Sequence, residues 1–297
     1  ARVLSVEPIA GGHNVKAVVE TGRYGTKTVV CGAPNCRAGI TTAYVPAGTS
    51  LGEREIGKAI ISGVESDGML ASGAELGLNR DAEGILEIDG KPGSAIPGCA
   101  PDWIIEIDNK SLTHRPDLWG HHGMAREVAA ILRKPLKEPA RLDLIPAGKS
   151  PVDVRIDDFA LCPRYSALVF ENVRVQPSPL WLQYRLESIG LNPINNIVDV
   201  TNFILAEISQ PMHAFDAEAL EGGTIVVRRA RQGESIVALN KESYELDETN
   251  LAITDRRGPV AIAGVIGGLD TGIVDTTTRV VLESANFHAS NIRRTTV

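Results

Sequence analysis

Asn195-Asn196-Ile197-Val198-Asp199-Val200-Thr201-Asn202-Phe203-Ile204-Leu205-Ala206-Glu207-Ile208-Ser209-Gln210-Pro211-Met212-His213-Ala214-Phe215-Asp216 is the run on which the reading of this chain turns. Val198 to Glu207 is read as a helix. Asn196, Thr201, Asn202, Gln210 and His213 stand among Val, Ile, Leu and Phe. An interior with a few placed polar contacts has this look, so a small-molecule pocket is the first expectation. Thr201 and Asn202 are one step apart on the helix, so at most one points straight at a given target. The alternative is that the Asn, Thr and Asp residues cap helices and that His213 is a satisfied core histidine.

Apolar strands are expected on either side of this run. They are Val152 to Ile156, Tyr165 to Val175, Thr224 to Ala230, Ser235 to Leu239, Ala252-Ile253, Val260-Ala261-Ile262 and Val280-Val281-Leu282. Ser178-Pro179 opens a further helix with Ser as cap and Pro in its first turn, and Gly190 suits its stop. Separate runs of strand and helix favour an α+β domain.

The first third reads differently. From Arg2 to about Ile88, short apolar runs (Val3-Leu4, Val15 to Val19, Thr28 to Val30, Thr42 to Val45, Ala59 to Ile61, Gly84 to Leu86) are punctuated by glycines, which favours a small barrel. Trp103 to Asp108 alternates like a strand, a polar turn follows, and Met124 to Leu132 has helical spacing up to Pro135. Lys134 to Lys149, with Pro135, Pro139, Pro146 and Gly148, is the expected linker. The fold class expected is thus α+β: a barrel over 1–98, a connecting strand-helix and linker over 99–149, and an α+β domain over 150–297.

Composition narrows the function. The 297 residues are 43% hydrophobic and can bury real cores. No run of about eighteen apolar residues occurs and Ala1-Arg2-Val3-Leu4-Ser5-Val6 has no signal-peptide pattern, so neither a membrane span nor a signal peptide is expected and cytoplasm is the default. A formal charge of -7 argues against holding nucleic acid by bulk charge, though a local basic patch stays open. Cys31, Cys36, Cys99 and Cys162 form no Cys-x-x-Cys pattern, and reduced thiols are expected. His114, His121 and His122 lack a matching carboxylate or Cys set, so no metal site is expected. The missing initial Met, the strand-like opening and the stop after Ile292-Arg293-Arg294-Thr295-Thr296-Val297 read as a piece of a longer polypeptide.

Specific motifs carry a family resemblance. Pro193-Ile194-Asn195-Asn196-Ile197-Val198-Asp199-Val200-Thr201-Asn202, Gln210-Pro211-Met212-His213-Ala214-Phe215-Asp216, Ile262-Ala263-Gly264-Val265-Ile266-Gly267-Gly268 and Leu282-Glu283-Ser284-Ala285-Asn286-Phe287 come in the order and near-spacing of the editing domain of the bacterial phenylalanyl-tRNA synthetase beta subunit. Val30-Cys31-Gly32-Ala33-Pro34-Asn35 and Gly63-Val64-Glu65-Ser66-Asp67-Gly68-Met69-Leu70 resemble that family's tRNA-binding OB barrel. Arg115-Pro116-Asp117 with Gly123-Met124-Ala125-Arg126-Glu127 is similar to its junction, where Arg115 and Asp117 are expected to fix the turn and the helix to dock the barrel. The family's His-Pro-x-Ala-Asp-x-Leu segment is absent; Gly11-Gly12-His13-Asn14-Val15 stands in its place.

The resemblance implies hydrolysis of tyrosine mistakenly attached to tRNA(Phe), because a pocket for phenylalanine rejects an added hydroxyl poorly. Glu283 would meet the tyrosine hydroxyl, with Ala263, Gly264 and Gly267 presenting backbone to the ring. Thr201, Asn202 and His213 would hold the ester and terminal ribose around a positioned water. Arg37 and Lys58, with Lys16, Arg23, Lys27 and Arg54, are candidate phosphate contacts of the barrel. The implied partners are tRNA(Phe), the alpha subunit of the full heterotetramer, and tyrosine as editing ligand. ATP and Mg2+ would serve the full enzyme, and no cofactor is expected in this chain. The competing reading is a non-catalytic tRNA-binding or scaffolding module.

Overall fold

The computed structural model describes residues 1–96, 99, 102–148 and 150–296. Of the predicted boundaries, Gly98, Lys149 and the final Val297 lie outside them. Nine short strands come first: β1 (Arg2–Pro8), β2 (Val15–Glu20), β3 (Thr26–Cys31), β4 (Ala43–Val45), β5 (Thr49–Leu51), β6 (Arg54–Ile56), β7 (Lys58–Ile61), β8 (Val64–Asp67) and β9 (Met69–Ala71). Then come α1 (His121–Leu132), β10 (Asp153–Ile156), β11 (Arg164–Phe170), α2 (Leu180–Ser188), α3 (Asn196–Ile208) and β12 (Met212–Asp216). The chain continues with β13 (Thr224–Arg229), β14 (Glu234–Val237), β15 (Ser243–Leu246), β16 (Leu251–Thr254), β17 (Pro259–Ile262), β18 (Ile266–Gly267), β19 (Val280–Asn286) and α4 (Ala289–Thr295). The class is mixed α+β, as expected.

These elements make two compact units, Ala1–Glu106 with Pro179–Pro193, and Ile107–Ser178 with Ile194–Val297. In the first, β1, β2 and β3 form an antiparallel sheet, while β4-β9, β5-β6 and β7-β8 pair as ribbons. Alternation does the sorting: Ala17 and Val19 of β2 and Val29 and Cys31 of β3 face a core with Val3, Leu70 and Ile85. Gly84-Ile85-Leu86 forms no named strand; its Ile85 is buried and the Leu86 N–H donates to the Ala71 carbonyl. The α2 helix belongs to this unit, where Gln183 accepts from Asn79 and Glu187 pairs with Arg80.

One expected strand is absent. Trp103 to Asp108 forms none, and Trp103, Ile104 and Ile105 are exposed, Trp103 at 92%. Alternation alone does not make a strand when no neighbour takes its backbone hydrogen bonds.

In the second unit, α1 packs against α3, and Gly123 is buried where a Cβ would strike the Asp117 carbonyl. Arg115 grips Asp117 through Nε (2.8 Å) and Nη2 (2.7 Å) and also reaches Glu127 (2.8 Å), so the expected turn-fixing pair is present. Residues 134–148 carry only a short turn at Leu142–Leu144 and are exposed. Two sheets form the main body. One has the order β10-β13-β16-β17-β18 and the other β11-β19-β12. Their facing sides share one core, in which Phe215, Val281 and Tyr165 from the smaller sheet meet Ile225, Val227, Leu251 and Ile253 from the larger.

Candidate functional site

The smaller sheet sets the site by register. In β12-β19 pairing His213 lies opposite Glu283 and Phe215 opposite Val281; in β11-β19 pairing Ala167 lies opposite Glu283 and Tyr165 opposite Ala285. Side chains alternate along a strand, so Tyr165, Ala167, Glu283, Val281, His213 and Phe215 all project from the same face. That face is the one turned to the core. A carboxyl and an imidazole therefore stand where the pattern otherwise places apolar groups.

Glu283 is 5% exposed. Its Oε2 accepts a hydrogen bond from the Tyr165 hydroxyl at 3.2 Å, and Oε1 takes none among the described residues. Loss of water disfavours the charged form, and burial pushes this carboxyl up to about 7, partly opposed by the Tyr165 bond. His213 is shifted the other way: burial lowers its imidazole to about 4, so it is neutral at pH 7. Its Nε2 is buried with no hydrogen-bond partner among the described residues. The Phe215 ring meets it edge-on, with centroids 4.4 Å apart. An unpaired buried nitrogen costs on the order of 1–3 kcal/mol, a cost that a ligand atom could remove.

The larger sheet supplies the opposite wall. Gly267 in β18 lies against the His213 ring so closely that a Cβ there would overlap it. Gly264 has φ +67, and an added Cβ would press on Phe287 and Ile292 at 3.1 Å. Glycine is required at this turn on both counts. Ala263 is 1% exposed and its N–H donates to the Leu251 carbonyl.

The α3 helix begins with Asn195, whose side-chain oxygen accepts from the Ile197 and Val198 N–H groups as an N-cap should. Asp199, fully buried, holds the Ser178 hydroxyl and the Ile194 N–H. Thr201 is buried and donates back to the Val198 carbonyl at 2.7 Å; Asn202 is half-buried one residue on. Among the described residues no hydrogen bond joins Thr201 or Asn202 to His213 or Glu283. The structure thus gathers His213, Glu283 and Gly267, places Ala263 and Gly264 on the adjoining turn, and keeps Thr201 and Asn202 on the helix packed against β12. Sequence reading missed Tyr165, whose signal was a lone phenol in phase with the buried positions of Arg164-Tyr165-Ser166-Ala167-Leu168-Val169-Phe170.

Of the six candidate phosphate contacts of the first unit, Arg37, Lys58, Lys27 and Lys16 pair with carboxylates, whereas Arg23 donates to the Tyr24 hydroxyl and Arg54 lines the neighbouring cleft. Arg37 donates two hydrogen bonds to Glu87 (2.8 and 2.7 Å), Lys58 lies between Asp67 (3.2 Å) and Glu65 (3.8 Å), Lys27 binds Asp67 and Lys16 binds Glu7. A cleft of about 740 Å³ beside them is lined by Arg54, Glu55, Lys58, Glu75 and Glu83, a mixed-sign wall. Cys31, Cys36, Cys99 and Cys162 are free thiols. Among the described residues no helix is long and apolar enough to cross a membrane, and no three His, Cys, Asp or Glu side chains gather as metal ligands would.

Comparison with known proteins bears on this geometry. Residues 161–297 match the B3/4 domain. Over 295 residues the chain is 67% identical to the phenylalanine--tRNA ligase beta subunit of Solibacter usitatus (strain Ellin6076), covering 99% of this chain and 37% of that protein. It is 41% identical over 305 residues to the subunit of the same name from Anaeromyxobacter dehalogenans (strain 2CP-C), covering 99% and 38%. A crystal structure of an N-terminal fragment of the phenylalanyl-tRNA synthetase beta subunit from Pyrococcus horikoshii matches at 18% identity and a TM-score of 0.37, over 62% of this chain and 56% of that one, too distant to carry argument. The chain spans just over a third of the length of these bacterial relatives. Along nearly all its own length it is therefore similar to phenylalanine--tRNA ligase beta subunits, and its residues 161–297 match the B3/4 domain.

Proposed function

We propose that this chain carries the editing site of a phenylalanine--tRNA ligase beta subunit and hydrolyses tyrosine from mischarged tRNA(Phe). The observation that supports this most is a desolvated carboxyl, Glu283, opposite a neutral imidazole, His213, between two sheets with Gly267 against the imidazole. A buried acceptor left unpaired by phenylalanine but paired by the phenol hydroxyl favours tyrosine, the reverse of what a synthetic site must prefer. With a pKa near 7 the carboxyl is ionised in a large fraction of molecules at neutral pH and can accept that hydroxyl.

Magnitude decides the part of His213. An imidazole held at about 4 is too weak a base to activate water efficiently at pH 7 and carries no proton to donate as imidazolium. It serves instead to hydrogen-bond the ester or terminal ribose through Nε2. Water is the nucleophile; Thr201 and Asn202 orient the tRNA end from α3. Ester hydrolysis consumes only water, so ATP and Mg2+ belong to ligation by the whole enzyme, together with the alpha subunit. The first unit is read as the OB-type barrel of that assembly, with tRNA(Phe) its partner.

The test is deacylation of Tyr-tRNA(Phe) by this chain and its Glu283→Ala and His213→Ala variants. Loss of hydrolysis in both supports the reading; rates equal to wild type overturn it. A second reading, a binding module without catalysis, is favoured by one observation: the Thr201 hydroxyl is committed to the Val198 carbonyl. Tyrosine that binds without any ester hydrolysis would select it.

A further inference from the structure

We propose that Tyr165 is a positioning residue of this site: its hydroxyl donates to Oε2 of Glu283, holding the carboxylate as a hydrogen-bond acceptor and leaving Oε1 to take the hydroxyl of a para-hydroxylated aromatic ligand. The inference rests on the editing reading for its ligand, but the Tyr165–Glu283 pair stands on geometry alone. Tyr165 is 9% exposed and lies diagonal to Glu283 across β11-β19, where the register places both on the core face. A Phe would fill the same space, so packing does not ask for the hydroxyl.

The groups that face Glu283 show why this one hydrogen bond matters. They are Tyr165 from β11, His213 from β12 and Cys162 in the turn leading into β11; from the larger sheet Gly267, which does not titrate, lies against the His213 ring. Burial lowers His213 to about 4 and pushes the Cys162 thiol up to about 11, so both are uncharged from pH 6 to 8. Burial likewise keeps the Tyr165 phenol protonated and able to donate. Among the described residues no cation offsets the desolvation of Glu283. The phenol O–H is then the group that favours the charged form, since a donor to a carboxylate stabilises it and not its acid.

This assigns Tyr165 a directional effect. Without its hydroxyl, Glu283 titrates at higher pH and spends more of the neutral range as a neutral acid, whose O–H donates where the carboxylate would accept the ligand hydroxyl.

The experiment compares the 297-residue chain with its Tyr165→Phe variant in two measurements. The first is the pH profile of Tyr-tRNA(Phe) deacylation from pH 6 to 8.5, corrected for spontaneous hydrolysis. The second is the titration of the Glu283 carboxyl followed by carboxyl infrared absorption or 13C resonance, assigned with Glu283→Gln. The account predicts that Tyr165→Phe raises both midpoints by about one pH unit, with the rate recovering toward wild type at the alkaline end. A merely structural role would lower the rate equally at every pH and leave the carboxyl midpoint in place, and that result overturns the inference. Should the wild-type chain deacylate nothing, the editing reading fails. The carboxyl titration still decides Tyr165: a raised midpoint supports its hold on Glu283, and an unchanged one ends it.

Discussion

The candidate sites of the two units handle charge in opposite ways. In the first, Arg37, Lys58, Lys27 and Lys16 each meet a carboxylate at or near the surface, with Asp67 the least exposed of the partners. In the second, Glu283 and His213 are taken out of water with neither a counter-ion nor, for His213 Nε2, a hydrogen bond among the described residues. Surface pairs of the first kind contribute little and mark no site. Buried groups shifted away from their ordinary ionisation, in opposite directions and side by side, are costly to keep and are where function concentrates.

The contrast breaks most decisively at Glu283. Replacing it by Gln keeps shape but removes the anionic acceptor, and the ratio of Tyr-tRNA(Phe) to Phe-tRNA(Phe) hydrolysis should fall by about a hundredfold or more. A ratio within a few-fold of wild type would place selectivity elsewhere.

The same change should leave the fold more stable at alkaline pH. The Glu283 carboxyl is raised from the ordinary 4.5 to about 7 in the folded chain, so its contribution to stability is full below 4.5 and is lost as pH rises through 7. His213, depressed from 6.5 to about 4, contributes above 6.5 and loses this as pH falls through 4. The two slopes oppose one another between 4.5 and 6.5, leaving Glu283 to dominate above. Denaturant titration should show Glu283→Gln gaining up to about 3 kcal/mol on wild type at pH 8 relative to pH 4. A pH-independent difference would mean that Glu283 is not desolvated.

A smaller effect is expected at Gly267. Ala there would push the His213 ring from its place, costing about 1–3 kcal/mol in stability and slowing deacylation, while Gly272→Ala, on the loop before β19, should leave the His213 ring where it is. Thermal unfolding and single-turnover deacylation check this. Unchanged deacylation in Gly267→Ala would free His213 of its proposed part.

The smallest effect tests the first unit. Because Arg37 and Lys58 already hold carboxylates, Arg37→Gln and Lys58→Gln should each change the slope of log affinity for tRNA against log salt by much less than the value of about 0.9 expected for a phosphate contact. Loss of a full unit of slope would make them RNA contacts despite their pairing.

Much of the second unit was legible because periodicity and polarity pointed the same way. Helix α3 runs from Asn196 where Val198 was expected, β19 contains the predicted Val280-Val281-Leu282, and His213 stood out as a polar residue in apolar surroundings, while Glu283 was marked by the family resemblance. Tyr165 did not, because its meeting with Glu283 depends on strand register, which a single strand's composition does not specify. Nor did order along the chain reveal that α2 joins the first unit while both its flanks belong to the second. Trp103 to Asp108 misled for the converse reason: a strand needs a neighbour, and the alternation of one segment says nothing about whether it finds one.

The claim at the centre is that Glu283 receives a phenol hydroxyl inside the second unit, and a crystal structure of this chain soaked with tyrosine tests it most directly. The account predicts the ring between β18 and β12, with its hydroxyl oxygen about 2.5–3.0 Å from Glu283 Oε1. Tyrosine bound elsewhere, or no density at saturating concentration, would contradict it.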